Sequence, residues 1–167
     1  MHLQHGPPRR SRVSQFVRIS LHARRLLLTT VIFAVLDFVW LSLLMGDFYK
    51  DHLGTLARRS GPDLDPVWWA AILVYVALVV GLVTFVLPKA SGATTAAGWG
   101  ALFGVVAYGT YDLTCQAVIR DWPVVMTMVD IAWGATICGV TSWAVLFTEE
   151  RGPFPLHVSQ PSGRLTN

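Results

Sequence analysis

Between Leu26 and Phe147 the chain carries four long apolar runs, and nothing else in it constrains the fold as much. About twenty apolar residues, rising 1.5 Å each as a helix, cross the hydrocarbon core of a bilayer. The four runs are 26–45, 67–87, 98–119 and 123–147. Hydrophobic residues make up 53% of the chain and charged ones only 14%, a balance that points to lipid rather than water as solvent. With 167 residues there is room for one domain. The expected architecture is therefore all-α, an integral membrane four-helix bundle.

The charges fall mainly outside the runs. Residues 1–25 hold six arginines and no acid, with Val13, Phe16, Val17 and Leu21 at helical spacing. This basic tail reads either as an amphipathic helix lying on an anionic leaflet or as a disordered segment whose arginines set topology. A cleaved signal peptide fits less well, because the following run is of full length and is interrupted by Asp37. The longest connection, 46–66, is expected to extend the first helix through Asp47 to Leu53, to break at Ser60-Gly61-Pro62-Asp63, and to restart with Asp65 as N-cap. Residues 148–167 are polar and rich in Pro and Gly, and read as a disordered tail. If the N-terminus is inside, inner segments hold nine Lys or Arg and outer loops four, which places both termini in the cytoplasm.

Against this apolar background three carboxylates stand out: Asp37, Asp112 and Asp130. Asp37 lies about nine residues before the outer end of its run, Asp112 about nine before the tight turn at 119–123, and Asp130 about nine after it. At 1.5 Å per residue all three fall in one layer, very roughly 12 Å below the outer surface. Tyr75 lands near the same height. The turn makes the last two helices adjacent and antiparallel, so that Asp112 and Asp130 can approach each other. Helical spacing puts Tyr108, Asp112 and Cys115 on one face, and Thr127, Asp130, Gly134 and Thr141 on another. The repeated Asp-x-x-Trp, Asp37 to Trp40 and Asp130 to Trp133, offers indole N–H donors to carboxylates on neighbouring helices.

No Lys, Arg or His lies at that depth. Three desolvated like charges cannot all be ionised cheaply, so either at least one carries a proton or a cation sits among them. The plainer alternative is that each Asp is a staple, hydrogen-bonded across a helix interface. Such bonds add only about 0.6 kcal/mol each, which makes three staples at one height a poor explanation; intramembrane acids are by default functional. The expected binding set is Asp37, Trp40, Tyr75, Tyr108, Tyr111, Asp112, Asp130 and Trp133, with Asp112 and Asp130 the candidates for catalysis should there be any.

Other chemistries find less support. No cofactor is expected, and only Cys115 accompanies the acids, so a zinc or di-iron centre of ordinary ligand type is not. Cys115 and Cys138 are expected to lie too far apart for a disulfide. Ser42 and Ser142 have no partnering His. Gly98, Gly100 and Gly104 are not followed by a P-loop lysine, and Gly100 with Gly104 reads as a small-residue packing face, as do Ala135 and Gly139. The net charge of +3 comes mainly from the tail and implies no nucleic-acid partner.

Asp37-x-x-Trp40-Leu41, Phe48-Tyr49, Tyr108-Gly109-Thr110-Tyr111-Asp112-Leu113-Thr114 and Val129-Asp130-Ile131-Ala132-Trp133-Gly134 together resemble a bacterial membrane family catalogued as domain of unknown function 2177. The resemblance covers about residues 26–147, and the Tyr-Gly-Thr-Tyr-Asp-Leu-Thr stretch is its specific part. It implies a small four-helix protein of the bacterial inner membrane, with no activity to carry over and at most a link to membrane lipid or photo-oxidative stress. The family commonly has Asn where this chain has Cys115, so any shared chemistry does not need that thiol.

Three classes of function remain open. The leading one is a site, open to the outer face, that binds or translocates a proton, a cation or a small polar ligand. The second is an enzyme acting on membrane lipid, with Asp112 and Asp130 as acid and base. The third is a non-catalytic subunit, in a homo-oligomer or with a membrane partner, that packs through its small-residue faces.

Overall fold

The computed structural model describes residues 12–151, with side chains from Ile19 onward. The expectations for the first eleven residues and for the polar tail beyond 151 lie outside the described residues. The chain divides into two compact units, Met1–Phe85 and Val86–Asn167.

In the first unit, α1 (Arg12–Val39) runs unbroken from the basic segment into the first apolar run. Thr29, Phe33 and Asp37, spaced four apart, form its buried row. The helix then widens into a π-helical turn, Trp40–Leu44, where the Met45 N–H reaches back five residues to the Trp40 carbonyl at 2.8 Å. The expected continuation of the first helix is thus interrupted. Met45 leaves helical geometry, and a separate α2 (Gly46–Leu53) follows. Gly46 suits this corner because a Cβ there would stand 2.9 Å from the Leu41 carbonyl oxygen.

A feature outside the all-α expectation comes next. Arg59–Ser60 (β1) and Asp63–Leu64 (β2) pair antiparallel as a small hairpin. Gly61 stands at its first central position with φ +64°, the positive φ that a two-residue hairpin of the II′ kind needs there. Lys50 of α2 binds Asp63 at 3.2 Å and Asp47 at 3.6 Å, and the Arg59 guanidinium donates to the Lys50 carbonyl. Asp63 beside it raises the Lys50 ammonium above its ordinary pKa. The Asp65 N–H donates to the Arg58 carbonyl, so Asp65 closes the hairpin and is not the N-cap expected from sequence. That position falls to Val67, whose carbonyl receives the Ala70 and Ala71 N–H groups.

From there α3 (Trp68–Gly81) passes into a second π turn, Leu82–Val86, and a 3-10 turn, Leu87–Lys89. Pro88 is the cause: it has no N–H, and its ring collides with the carbonyl four residues back in a continuing α-helix. Trp68 and Trp69, each 69% exposed, flank the start of α3 as amphipathic anchors.

The second unit is a hairpin of α4 (Ala93–Val118) and α5 (Val124–Glu150). Helix α4 begins five residues earlier than the apolar run, because its first N–H groups find side-chain acceptors. Thr95 Oγ1 accepts from Gly92 at 3.0 Å, and Glu150 Oε1, from the far end of α5, accepts from Ala93 at 2.8 Å. The turn between the helices is made by Ile119 in extended conformation, Asp121 with φ +61°, and Pro123 at the N-cap of α5. Asp is one of the few residue types that visits the left-handed region at modest cost.

The two helices of this hairpin touch backbone to backbone. A methyl placed on Gly104 would fall on the Gly134 carbonyl, one on Gly100 would meet the Cys138 carbonyl and Ser142, and one on Gly134 would meet the Tyr108 ring. Gly139 lies against the Ala97 carbonyl and Ala101. The small-residue faces singled out in the sequence are therefore used inside the chain, with the tightest point at Gly104 and Gly134.

Among the described residues three helical stretches are long and apolar enough to cross a membrane: Ile19–Leu44, Trp68–Lys89 and Val124–Glu150. Helix α4 has the length, at 26 residues, but is not among these three. Its glycines, threonines, Tyr108, Tyr111, Asp112 and Gln116 lower its apolarity.

Candidate functional site

In the hairpin of α4 and α5 the seam that brings Gly104 onto Gly134 also sets the neighbours of the acids. Two turns beyond Gly104 on α4 comes Asp112, and one turn before Gly134 on α5 comes Asp130. Asp112 is 0% exposed and Asp130 9%. Neither carboxyl oxygen of Asp112 meets an N–H or O–H donor among the described residues. The group that faces it is another carboxyl, that of Asp130, within hydrogen-bonding reach. Two carboxylates cannot hydrogen-bond to one another; a carboxylic acid and a carboxylate can.

Around the pair the expected neighbours take distinct places. The Tyr108 ring lies on Gly134 and closes the seam below the acids. The Tyr111 hydroxyl meets the Cys115 thiol one turn along, near both carboxyls, while the ring is largely exposed and stands edge-on to Trp122 at 6.1 Å. Trp133 is half-buried on α5, one turn from Asp130. Thr141 and Ser142, further down the same buried face, are fully buried with hydroxyls that find no partner among the described residues. Cys115 and Cys138 are both buried and are not joined in a disulfide.

Asp37, Trp40 and Tyr75 belong to the first unit. The Tyr75 hydroxyl donates to Asp37 Oδ2, and the Tyr75 ring stands edge-on to Phe33 at 5.7 Å. Asp37 is thus a buried carboxylate with a hydroxyl donor from the facing helix, as a staple would be, and differs in kind from Asp112. The Trp40 indole donates to the Tyr49 hydroxyl of α2 at 3.3 Å. Tyr75 also lines an apolar groove of about 500 Å³ along α1 and α3, with Leu26, Thr30, Trp68, Ile72 and Val76.

Sequence reasoning passed over two residues near the acids. Trp122 reads as part of a turn and Gln116 as one more polar residue near a helix end; both prove to be bonded to Thr127. The Trp122 indole donates to Thr127 Oγ1 at 3.2 Å, Thr127 donates to Gln116 Oε1 at 3.4 Å, and the Gln116 amide donates to the Trp122 carbonyl at 3.3 Å. The available signal was spacing: Gln116 is one turn from Asp112, and Thr127 one turn from Asp130. Among the described residues no three His, Cys, Asp or Glu side chains gather as a metal site would require.

Comparison with known proteins adds one firm result. No curated protein and no solved structure matches the chain. The sequence pattern of a family described as a predicted membrane protein, DUF2177, matches residues 23–147. That stretch takes in Asp37, Tyr75, Asp112 and Asp130, as well as the packed glycines between α4 and α5. Since the match extends over well more than half of the chain, this protein belongs to the DUF2177 family of membrane proteins.

Proposed function

We propose that this is a four-span protein of the bacterial inner membrane with both termini in the cytoplasm, and that Asp112 and Asp130 form a site that takes up a proton, or a cation in its place, from the outer side. The observation that carries the reading is the environment of Asp112: a fully buried carboxyl whose oxygens meet no N–H or O–H donor among the described residues, with a second carboxyl as its neighbour. In a low dielectric two such groups cannot both stay charged unless a positive charge lies between them. One shared proton is the smallest species that meets the requirement. Crossing by α4, the least apolar of the four expected spans, is supported by its partner: its Asp112, Cys115, Gly100, Gly104 and Gly109 are buried rather than turned to lipid.

The site should reveal itself in the infrared. At neutral pH a carboxylic-acid C=O band is expected, and Asp112→Asn should remove or shift it. Finding every carboxyl ionised, with no cation bound, would refute the reading.

Topology supports the direction of uptake. Lys89 lies over the Trp99 ring at 5.4 Å and Arg151 over Phe147 at 4.2 Å, a basic and aromatic rim at the end of the hairpin opposite its turn. Reporter fusions after residues 25, 92 and 150 should accordingly read cytoplasmic, and one after residue 60 periplasmic. A periplasmic signal at 150 would turn the site to the other side of the membrane and remove the claim of outer access.

A further inference from the structure

We infer that Gln116, Thr127 and Trp122 form a latch that controls how a proton reaches Asp112 and Asp130 from the turn end of the α4–α5 hairpin. The inference rests on the reading of the acid pair as a proton site. Toward the other end the seam is closed, since Gly104 and Gly134 leave no space even for a methyl group and the Tyr108 ring covers Gly134. What stands between the acids and the turn is the bonded trio. Thr127 is one turn above Asp130 on α5, and Gln116 one turn above Asp112 on α4.

The bonds of the trio cross the hairpin. Thr127 Oγ1 takes the Trp122 N–H at 3.2 Å and gives its own hydrogen to Gln116 Oε1 at 3.4 Å. The second of these is the longest of the three and ties α5 directly to α4, so it is where the trio parts first. Trp122 is only 7% exposed and fills the turn, while Gln116 is exposed and presents the latch to the surrounding medium. An apolar side chain would close the same space permanently. A threonine held by two side-chain hydrogen bonds closes it reversibly, because each bond is worth little net free energy.

The test follows deuterium exchange of the carboxylic-acid band after a switch to D₂O, with the full-length protein in vesicles of phosphatidylethanolamine and phosphatidylglycerol. Gln116→Leu and Thr127→Val should each keep the band and speed its shift about fivefold, the loosening expected from one lost hydrogen bond. Gln116→Leu decides the matter, since an exposed side chain can be exchanged without emptying the hairpin. A band that shifts at the wild-type rate or more slowly in Gln116→Leu, or that vanishes there, overturns the latch. A wild-type protein with no such band overturns the latch together with the proton on which it acts, and, if no cation is bound in its place, the acid-pair reading itself; the failures are thereby told apart.

Discussion

Gly104→Ala should be the most damaging single methyl group that can be added to this protein. The new carbon would occupy the place of the Gly134 carbonyl, and neither helix backbone can yield without opening the seam along its length. Overpacking of this kind costs about 1–3 kcal/mol and sometimes more. In a protein of ordinary marginal stability that is a large share of the total. Thermal unfolding in detergent should shift down markedly, and the accumulated level in membranes should fall. Gly98→Ala is the contrast. It lies six residues upstream in similar sequence, yet nothing stands within 4 Å of a Cβ there. Replacing a helical glycine where space allows stabilises by about 0.4–1 kcal/mol, chiefly through the unfolded chain. Equal stability of the two variants would show that α4 and α5 do not pack through Gly104.

Asp112→Asn and Asp130→Asn should have the opposite signature: normal accumulation and lost function. Asparagine keeps the size and hydrogen-bonding capacity of aspartate but cannot bind or release a proton. The magnitudes make the two outcomes separable. Losing a hydrogen-bonded staple between membrane helices costs about 0.6 kcal/mol, too little to deplete the protein, and replacing one of two neighbouring acids by a neutral amide removes their mutual repulsion. A function lost at wild-type abundance would therefore come from the missing proton site and not from unfolding. Complementation of a deletion strain, read beside a quantitative blot, measures both quantities. Trp40→Phe and Trp133→Phe supply the control, since losing an indole N–H should lower abundance and function together. Full complementation by the Asp112→Asn, Asp130→Asn double variant would return both acids to the role of staples. Asp37→Asn should be the mildest of the three, because Tyr75 already supplies its carboxylate with a donor.

Much of the architecture was legible without coordinates, for a plain reason. Apolar runs of spanning length have few solutions in lipid, because every backbone N–H and C=O must be satisfied within the segment. The helical segments, the turn at Ile119–Pro123 and the burial of Asp37, Asp112 and Asp130 all follow from run length and 3.6-residue spacing. Element ends were less legible. The early start of α4 depends on Glu150, 57 residues away from the N–H it accepts, and no local pattern announces such a partner. Asp65 followed by Pro66 has the local chemistry of a helix start, yet the hairpin at Arg59–Leu64 claimed its N–H first.

What each acid faces was decided by tertiary structure. In sequence, Asp37, Asp112 and Asp130 are each one carboxylate in an apolar run at one expected depth, and only the short turn at 119–123 sets the last two apart by bringing their helices together. Periodicity states which face a residue lies on, but not which atom of another helix stands opposite. Folding sets a tyrosine hydroxyl against Asp37 and a second carboxyl against Asp112, making the one a satisfied hydrogen-bond acceptor and the other an acid that faces an acid. The small residues show the same division. Their spacing marked them as contact points, but whether Gly104 would meet lipid, another subunit or Gly134 depended on the rotation and height at which α4 settles against α5, and those are set by packing, not by composition.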